Sequence, residues 1–282
     1  MTAVPPLSGL SAALEGIEGL FCDIWGVLHN GEAAWPGAVA ALQRARAQGL
    51  RVVLVSNAPV PAGTVAERLA ALGVPGTAYD GIVTSGDLTR AGLERDHPGA
   101  KIVHIGAPRD MPLLDGLDIH RVGDDDGALV VCTGLHDDTR ETPEDYDARL
   151  KALAARGLPM LCANPDLVVE RGERLIFCAG ALARRYEEHG GTVTQLGKPH
   201  KAIYDAALQA LGTAPGATLA LGDSAMTDLA GAAEHGLQAL FVTGGIHAGL
   251  FGAPEAPDPG KVAAFLTEKK LKPRGFLARL VW

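Results

Sequence analysis

Four polar positions each follow a strand-like run. Asp23 follows the run 19–22, and Ser56-Asn57 follow 50–55. Lys198, in Gly197-Lys198-Pro199, follows 193–196, and Asp223 follows 217–222 with Asp228 five residues on. Asp23 and Asp223 together suit Mg²⁺, a hard cation that takes one or two carboxylates plus phosphate oxygens and water. Ser56 and Asn57 offer donors to phosphate oxygens, and Lys198 offers positive charge at the same place. Phosphoryl transfer needs such a set, because its catalysis is mostly positioning and charge neutralisation. An aspartate can also accept the phosphoryl group covalently, which splits one displacement into two. Each member also has a plainer reading. Asp23 can cap a turn, Lys198 can sit on the surface, and Asp223 with Asp228 can be acids at a helix N-terminus. The joint occurrence of all four favours the chemistry.

A parallel sheet would position them, since ligands of open α/β sheets bind at the carboxyl ends of strands. Residues 36–48 read as a helix, with Pro36 in its first turn and Gly49 past its end. Residues 50–55 form a strand, about 63–72 a helix stopped at Gly73, and 82–84 a short strand. Strands alternating with helices of this length predict an α/β chain with a parallel sheet. The middle is different in texture. Strands are expected over 101–105, 128–132 and 158–163, and a hairpin over 167–177 around Arg171-Gly172-Glu173. Thr142-Pro143-Glu144-Asp145 starts a helix in capping-box fashion, and the acidic run 124–126 reads as a solvated turn. A strand at 193–196, a helix to Leu211, strands at 217–221 and 237–242, a last helix and a terminal strand 276–282 complete the chain. The expected division is a core of residues 1–84 and 193–282, with 85–192 inserted as a smaller α/β domain.

Hydrophobic residues make up 47% of the 282, enough for a sizeable core. The net charge of −8 argues against nucleic-acid binding, which needs a basic stripe. No apolar run approaches the roughly 20 residues of a membrane span, and the first 14 residues lack the marks of a secretory signal. Cys22, Cys132, Cys162 and Cys178 form no CxxC pair and read as reduced core residues of a cytoplasmic protein.

Asp23 in its strand, Ser56-Asn57, Gly197-Lys198-Pro199 and Gly222-Asp223 with Asp228 resemble motifs one to four of the haloacid dehalogenase superfamily. The insertion, with Thr84-Ser85-Gly86-Asp87 at its start and Ala163-Asn164-Pro165-Asp166 near its end, is similar to the cap of the class IIA branch. The resemblance implies a Rossmann-like, doubly wound core, a Mg²⁺ cofactor and a small phosphorylated metabolite as substrate. By the same likeness Asp23 is the nucleophile, and Asp223 and the backbone carbonyl of Trp25 are metal ligands. Asp228 supports the metal and Lys198, while Ser56, Asn57 and Lys198 bind phosphate. Specificity is expected in cap loops around Asn164 and Asp166, and a homodimer through the cap is left open.

One departure matters. Phosphatases of the superfamily carry a second aspartate two residues after the nucleophile as general acid and base, where this chain has Trp25. An indole N–H is no practical proton donor, and general acid–base help is typically worth 10²–10⁴-fold. His29 is the nearest replacement, with a pKa suited to the task; its plainer reading is a histidine that packs in the loop. His200 and His247 are weaker candidates. Two readings follow: a Mg²⁺-dependent phosphatase working through an aspartyl phosphate on Asp23, or a weakly or non-catalytic phosphometabolite-binding, regulatory protein. Dehalogenase-like chemistry would dispense with the acid but gives no role to so complete a metal motif.

Overall fold

The computed structural model describes residues 4–172 and 174–282. Glu173, in the expected hairpin turn, and the first three residues of the N-terminal stretch lie outside the described residues. The chain opens with β1 (Gly19–Asp23), α1 (Pro36–Ala47), β2 (Arg51–Ser56), α2 (Ala62–Ala71), β3 (Gly81–Thr84) and α3 (Ser85–Asp96). There follow β4 (Ala100–Ile105), β5 (Ile119–Arg121), β6 (Leu129–Cys132), α4 (Asp147–Ala155) and β7 (Pro159–Cys162). The hairpin β8 (Val168–Arg171) and β9 (Arg174–Phe177), α5 (Ala179–Glu188) and β10 (Thr192–Gln195) complete the middle. The last part holds α6 (Lys201–Leu211), β11 (Thr218–Gly222), α7 (Ala230–Glu234) and β12 (Gln238–Val242). A two-rung hairpin of β13 (Gly252–Ala253) and β14 (Ala256–Pro257), then α8 (Pro259–Glu268) and β15 (Gly275–Leu277), end it.

Six parallel strands form one sheet in the order β15-β12-β11-β1-β2-β3. The central strands are continuous apolar runs because both faces are covered, as parallel sheets require. Leu20 and Cys22 of β1 pack with Leu42 and Ala45 of α1, while Phe21 turns the other way onto Ile203, Tyr204 and Ala207 of α6. From β1 the chain steps outward to β2 and β3, and it later returns to β11 on the other flank of β1. That reversal opens a crevice at the carboxyl ends of β1 and β11, the usual ligand position in such sheets.

A second parallel sheet, β10-β7-β6-β4-β5, is built from the middle of the chain. One face packs on Leu150 and Leu153 of α4 and Leu182 and Tyr186 of α5; the other meets Leu93 of α3. The strand expected to return to the first sheet at 193–196 is instead β10, paired with β7 through Val193 and Met160. The reason is its alternation: Thr192 and Thr194 face solvent while Val193 packs on the second core, the pattern of an edge strand. A boundary between residues 192 and 193 would therefore cut that strand. The terminal strand is shorter than the expected 276–282, covering only Gly275–Leu277. Helices α3 and α5 carried no expectation, although Thr84 caps α3 by accepting from the Asp87 N–H at 2.9 Å.

Helix α6 ties the site-bearing loop after β11 to the sheet. The Tyr204 ring stacks on Phe21 at 4.9 Å between centroids, and its hydroxyl donates to the Thr227 carbonyl at 2.8 Å. Tyr204→Phe should cost about 1 kcal/mol of stability, and Tyr204→Ala roughly 3–5 kcal/mol. Urea unfolding of both variants separates the hydroxyl's contribution from the ring's; equal losses would mean that stacking contributes nothing.

Candidate active site

Asp23 closes β1 with its carboxylate in the crevice. Its Oδ1 accepts from the Ile24 N–H at 2.7 Å and from Lys198 Nζ at 2.6 Å. The same ammonium donates to Asp228 Oδ1 at 2.7 Å. Asp228 reaches this point because residues Ala225–Leu229 form a π-helical turn, a widened geometry common at functional sites. Its Oδ2 accepts from the Ser224 N–H at 3.1 Å, and Asp223 Oδ2 accepts from the Ile246 N–H at 2.8 Å. One oxygen each of Asp23, Asp223 and Asp228 lies within 4.8 Å of the others, all three residues buried.

Three buried carboxylates lie around one ammonium that touches two of them, and the electrostatics reflect that imbalance. Burial, then repulsion from Asp228, holds the Asp23 carboxyl well above its ordinary pKa, and the same two causes push Asp223 up to about 8. Burial would lower the Lys198 pKa, but Asp228 and Asp23 outweigh it and hold the ammonium well above its ordinary value. The backbone is drawn in tightly around this cluster. A Cβ on Gly26 (φ +78°) would stand 1.9 Å from Asp223 Oδ2, and one on Gly245 would stand 2.0 Å from it. Only glycine fits at either place. Hard oxygen donors, deep burial and surplus negative charge are what a Mg²⁺ site needs, so the residues present fit that ion.

The two residues after β2 have different roles. Ser56 Oγ accepts from the Ala58 N–H at 3.1 Å, leaving its own O–H free to donate. Asn57 is spent internally: Nδ2 donates to Asp166 Oδ1 at 2.9 Å and to the Lys198 carbonyl at 3.1 Å, and Oδ1 accepts from the Lys198 N–H at 2.6 Å. The expected donation from this side chain to phosphate has no free hydrogen behind it; Asn57 holds Lys198 in place instead.

Trp25 and His29 also depart from expectation. The Trp25 indole N–H donates to the Glu170 carbonyl in β8, so the side chain bridges to the hairpin. His29 packs edge-on against the Trp25 ring at 4.9 Å, and its Nδ1 accepts from the Gly31 N–H at 2.9 Å. Burial lowers its pKa to about 4, so the ring is neutral at pH 7. It does not line the cavity at Asp23. It therefore lacks both the proton and the position of a substitute acid. His247, the weaker candidate, accepts from the Ala225 N–H through Nε2 at 3.2 Å, and His200 contacts Gln195 Oε1 at 3.3 Å, at the surface.

The hairpin arm lies over the cluster. Asp166, Val168, Val169 and Glu170 line the cavity with Asp23, Lys198 and Asp223, leaving about 60 Å³. Asn164 Oδ1 accepts from the Asp166 N–H at 3.0 Å and so orients Asp166 without entering that cavity itself. Burial raises the Asp166 and Glu170 carboxyls above their ordinary values. Glu170, Ser224, Thr227 and Ile246 line the site without having been singled out in the sequence. Only Ser224 and Thr227 stood inside a recognisable motif.

Family models for haloacid dehalogenase-like hydrolases match residues 20–120 and, for a HAD-hydrolase-like segment, residues 195–268. The crystal structure of a haloacid dehalogenase-like family hydrolase from Brucella suis 1330 superposes with a TM-score of 0.87 at 44% identity, over 98% of this chain and all of that one. The chain belongs to the haloacid dehalogenase-like hydrolases. Its relatives fall in the class IIA branch. The ribonucleotide monophosphatase NagD of Escherichia coli K12 is 29% identical over 234 residues, covering 82% of this chain and 89% of NagD. Human glycerol-3-phosphate phosphatase is 28% identical over 262 residues, covering 83% and 81%.

Lys198→Met removes the sole ammonium from three buried carboxylates and should cost roughly 3–5 kcal/mol, as breaking a buried pair does. In EDTA the folded state should weaken further as pH rises from about 4 to 8. Carboxyls with raised folded-state pKa, such as Asp223 at about 8, bind more protons folded than unfolded across that window. Millimolar Mg²⁺ should recover part of the loss. Thermal melts of the variant at pH 5 and pH 8, with EDTA or Mg²⁺, check both; a loss independent of pH and Mg²⁺ counts against the carboxylate cluster as its origin.

Proposed function

We propose that this phosphoric monoester hydrolase of the haloacid dehalogenase type hydrolyses a small phosphorylated metabolite with Mg²⁺, through an aspartyl phosphate on Asp23. The convergence of Asp23, Lys198, Asp223 and Asp228 at the crevice between β1 and β11 carries this reading. Asp223, Asp23 and the Trp25 carbonyl would hold the ion, which when bound neutralises charge on the transferring phosphoryl group. Asp23 Oδ1 is committed to Ile24 and Lys198, whereas Oδ2 has no hydrogen-bond partner among the described residues. Oδ2 is therefore the oxygen we assign to the attack on phosphorus, with Oδ1 left as the one shared with the cations. Lys198 and the Ser56 hydroxyl face the phosphoryl oxygens, and the P–O bond to the leaving group breaks as the bond to Oδ2 forms. Water then hydrolyses the acyl phosphate. The inserted unit, which we place between Thr84 and Leu196, closes over the ester, with Asp166 and Glu170 nearest to it.

Among the described residues no helix is long and apolar enough to cross a membrane. All four cysteines are buried and free, in keeping with a reducing, cytoplasmic compartment.

Metal dependence should be strict. Asp23→Asn is expected to abolish turnover, and Asp223→Asn to raise the Mg²⁺ requirement, in a phosphate-release screen run with Mg²⁺ and with EDTA. Hydrolysis that survives EDTA undiminished would exclude this site.

Trp25 supports a second reading, a phosphometabolite binder with little turnover, since its N–H is committed to the hairpin and it carries no transferable proton. Without that acid the leaving group departs unprotonated, so aryl and acyl phosphates should react far faster than glycerol or sugar phosphates. Trp25→Asp should raise activity on alkyl phosphates, by up to about 10²–10⁴-fold. Trp25→Phe, which loses the hydrogen bond without gaining an acid, should not. Values of kcat/KM over a graded leaving-group series for the three proteins decide between the readings. A flat series in wild type with efficient turnover would falsify the missing acid, and no turnover alongside tight binding of phosphate esters would favour the binder.

A further inference from the structure

Beside the cavity at Asp23 lies a second one of about 110 Å³, and the two share Trp25 and Val169 as walls. Three guanidiniums and two carboxylates line it: Arg68 of α2, Arg109, Arg171 of β8, Asp110 and Asp138. Asp138 is buried and doubly neutralised. Arg109 Nη2 donates to it at 2.5 Å, and Arg171 grips both its oxygens at 3.2 and 2.9 Å. That fixes two guanidiniums on the wall while leaving their remaining N–H groups unspent. Arg68 has no carboxylate within 4 Å among the described residues; its Nη2 donates only to the Arg109 carbonyl at 3.2 Å. Even with both acids ionised, the lining carries one positive charge in excess. Pro59, Leu135, Ile176 and Phe177 add apolar walls, and Thr133 and Asn164 add polar ones.

We propose that this second cavity is a leaving-group subsite for a second anion, a carboxylate or second phosphate carried on a short apolar body, with Arg68 and Arg171 as its recognising groups. The inference rests on the phosphatase reading of the neighbouring cavity and names the substrate class that reading leaves open. The phosphoryl end enters at Asp23 and Lys198, the place that reading assigns to it. The far end of the same molecule then passes Trp25 and Val169 and meets guanidiniums drawn from both sheets' units. Guanidinium forks match carboxylate and phosphate alike, so the chemistry recognised is the anion itself. Because Arg68 is exposed, the attraction should weaken with salt.

The test compares phenyl phosphate with 3-carboxyphenyl phosphate and 1,3-phenylene bisphosphate, which differ chiefly in the second anion. Wild type should prefer one or both compounds that carry a second anionic group by roughly tenfold or more in kcat/KM, the ratio a charge-assisted hydrogen bond supports, and the preference should shrink at high salt. Preference for the carboxylate alone or the bisphosphate alone identifies which anion is natural. In Arg68→Met the ratio of kcat/KM values should fall toward one. Arg171→Lys, which keeps a cation beside Asp138 and so protects the fold, should lower it partly. Equal kcat/KM values in wild type, or a ratio unmoved by Arg68→Met, overturn the subsite. If wild type hydrolyses none of the three esters, the phosphatase reading fails separately. Calorimetric binding of phenyl phosphate and 3-carboxyphenyl phosphate to wild type and Arg68→Met then decides the subsite: a tighter carboxylate ester whose advantage the variant loses supports it, and equal affinities overturn it.

Discussion

The Lys198 ammonium, held between Asp23 and Asp228, is the contact on which the rest of the site depends. Burying three carboxylates costs more than one cation can return, because desolvation and mutual repulsion add while only two of the acids touch the lysine. The fold opposes that cost with covalent and steric constraint. Asp23 is fixed by a central strand, Asp228 by a π-helical turn, and Lys198 by Asn57 gripping its N–H and its carbonyl together. Glycines at 26 and 245 then bring backbone against Asp223 where any Cβ would collide. A divalent cation is the group that such an arrangement lacks electrostatically, and for this reason the cluster reads as a metal site rather than as a structural ion pair.

The parts of this arrangement that were legible in the sequence are those written in local patterns. Apolar runs ending in Asp23, Ser56 and Asp223 mark buried parallel strands and their carboxyl ends, since a strand covered on both faces has no polar alternation to confuse it. The edge strand β10 is not legible in the same way, for the complementary reason. Its alternating exposure suits the margin of either sheet, and only pairing with β7 distinguishes them. Roles that depend on which atoms remain free were not legible. Asn57 follows a strand as a phosphate donor would, yet its amide is consumed by Asp166 and Lys198. His29 has a suitable intrinsic pKa, but burial and the Gly31 N–H remove both its charge and its free Nδ1. Glu170 carried no signal, because its place over the cluster is set by a hairpin from a distant part of the chain.

Trp25 has a mechanical role that its place after β1 makes possible. Its backbone lies in the loop after β1. Its indole meanwhile reaches the Glu170 carbonyl and packs on His29. That bond couples the loop after β1 directly to the hairpin arm and so fixes where the arm lies. Trp25 also forms part of the wall shared by the Asp23 cavity and the arginine-lined one.

The hairpin arm covers the space at Asp23, which Asp166, Val168, Val169 and Glu170 line together with Lys198. It is held down by the Trp25–Glu170 bond, by Asn57 Nδ2 to Asp166 at 2.9 Å, and by the Gly172 N–H to the Asn30 carbonyl at 3.1 Å. At about 1 kcal/mol net for each bond, the three favour closure by about 3 kcal/mol, on the order of a hundredfold. A ligand admitted only by the minor open form binds with its affinity reduced by that factor. The anchoring set at Asp23 and Lys198 has to recover it when the arm closes again, and contacts from the second cavity would lower the same threshold. Closure and recognition thus draw on one set of residues, Trp25, Asp166, Val169 and Arg171, all of them on or against a single hairpin arm.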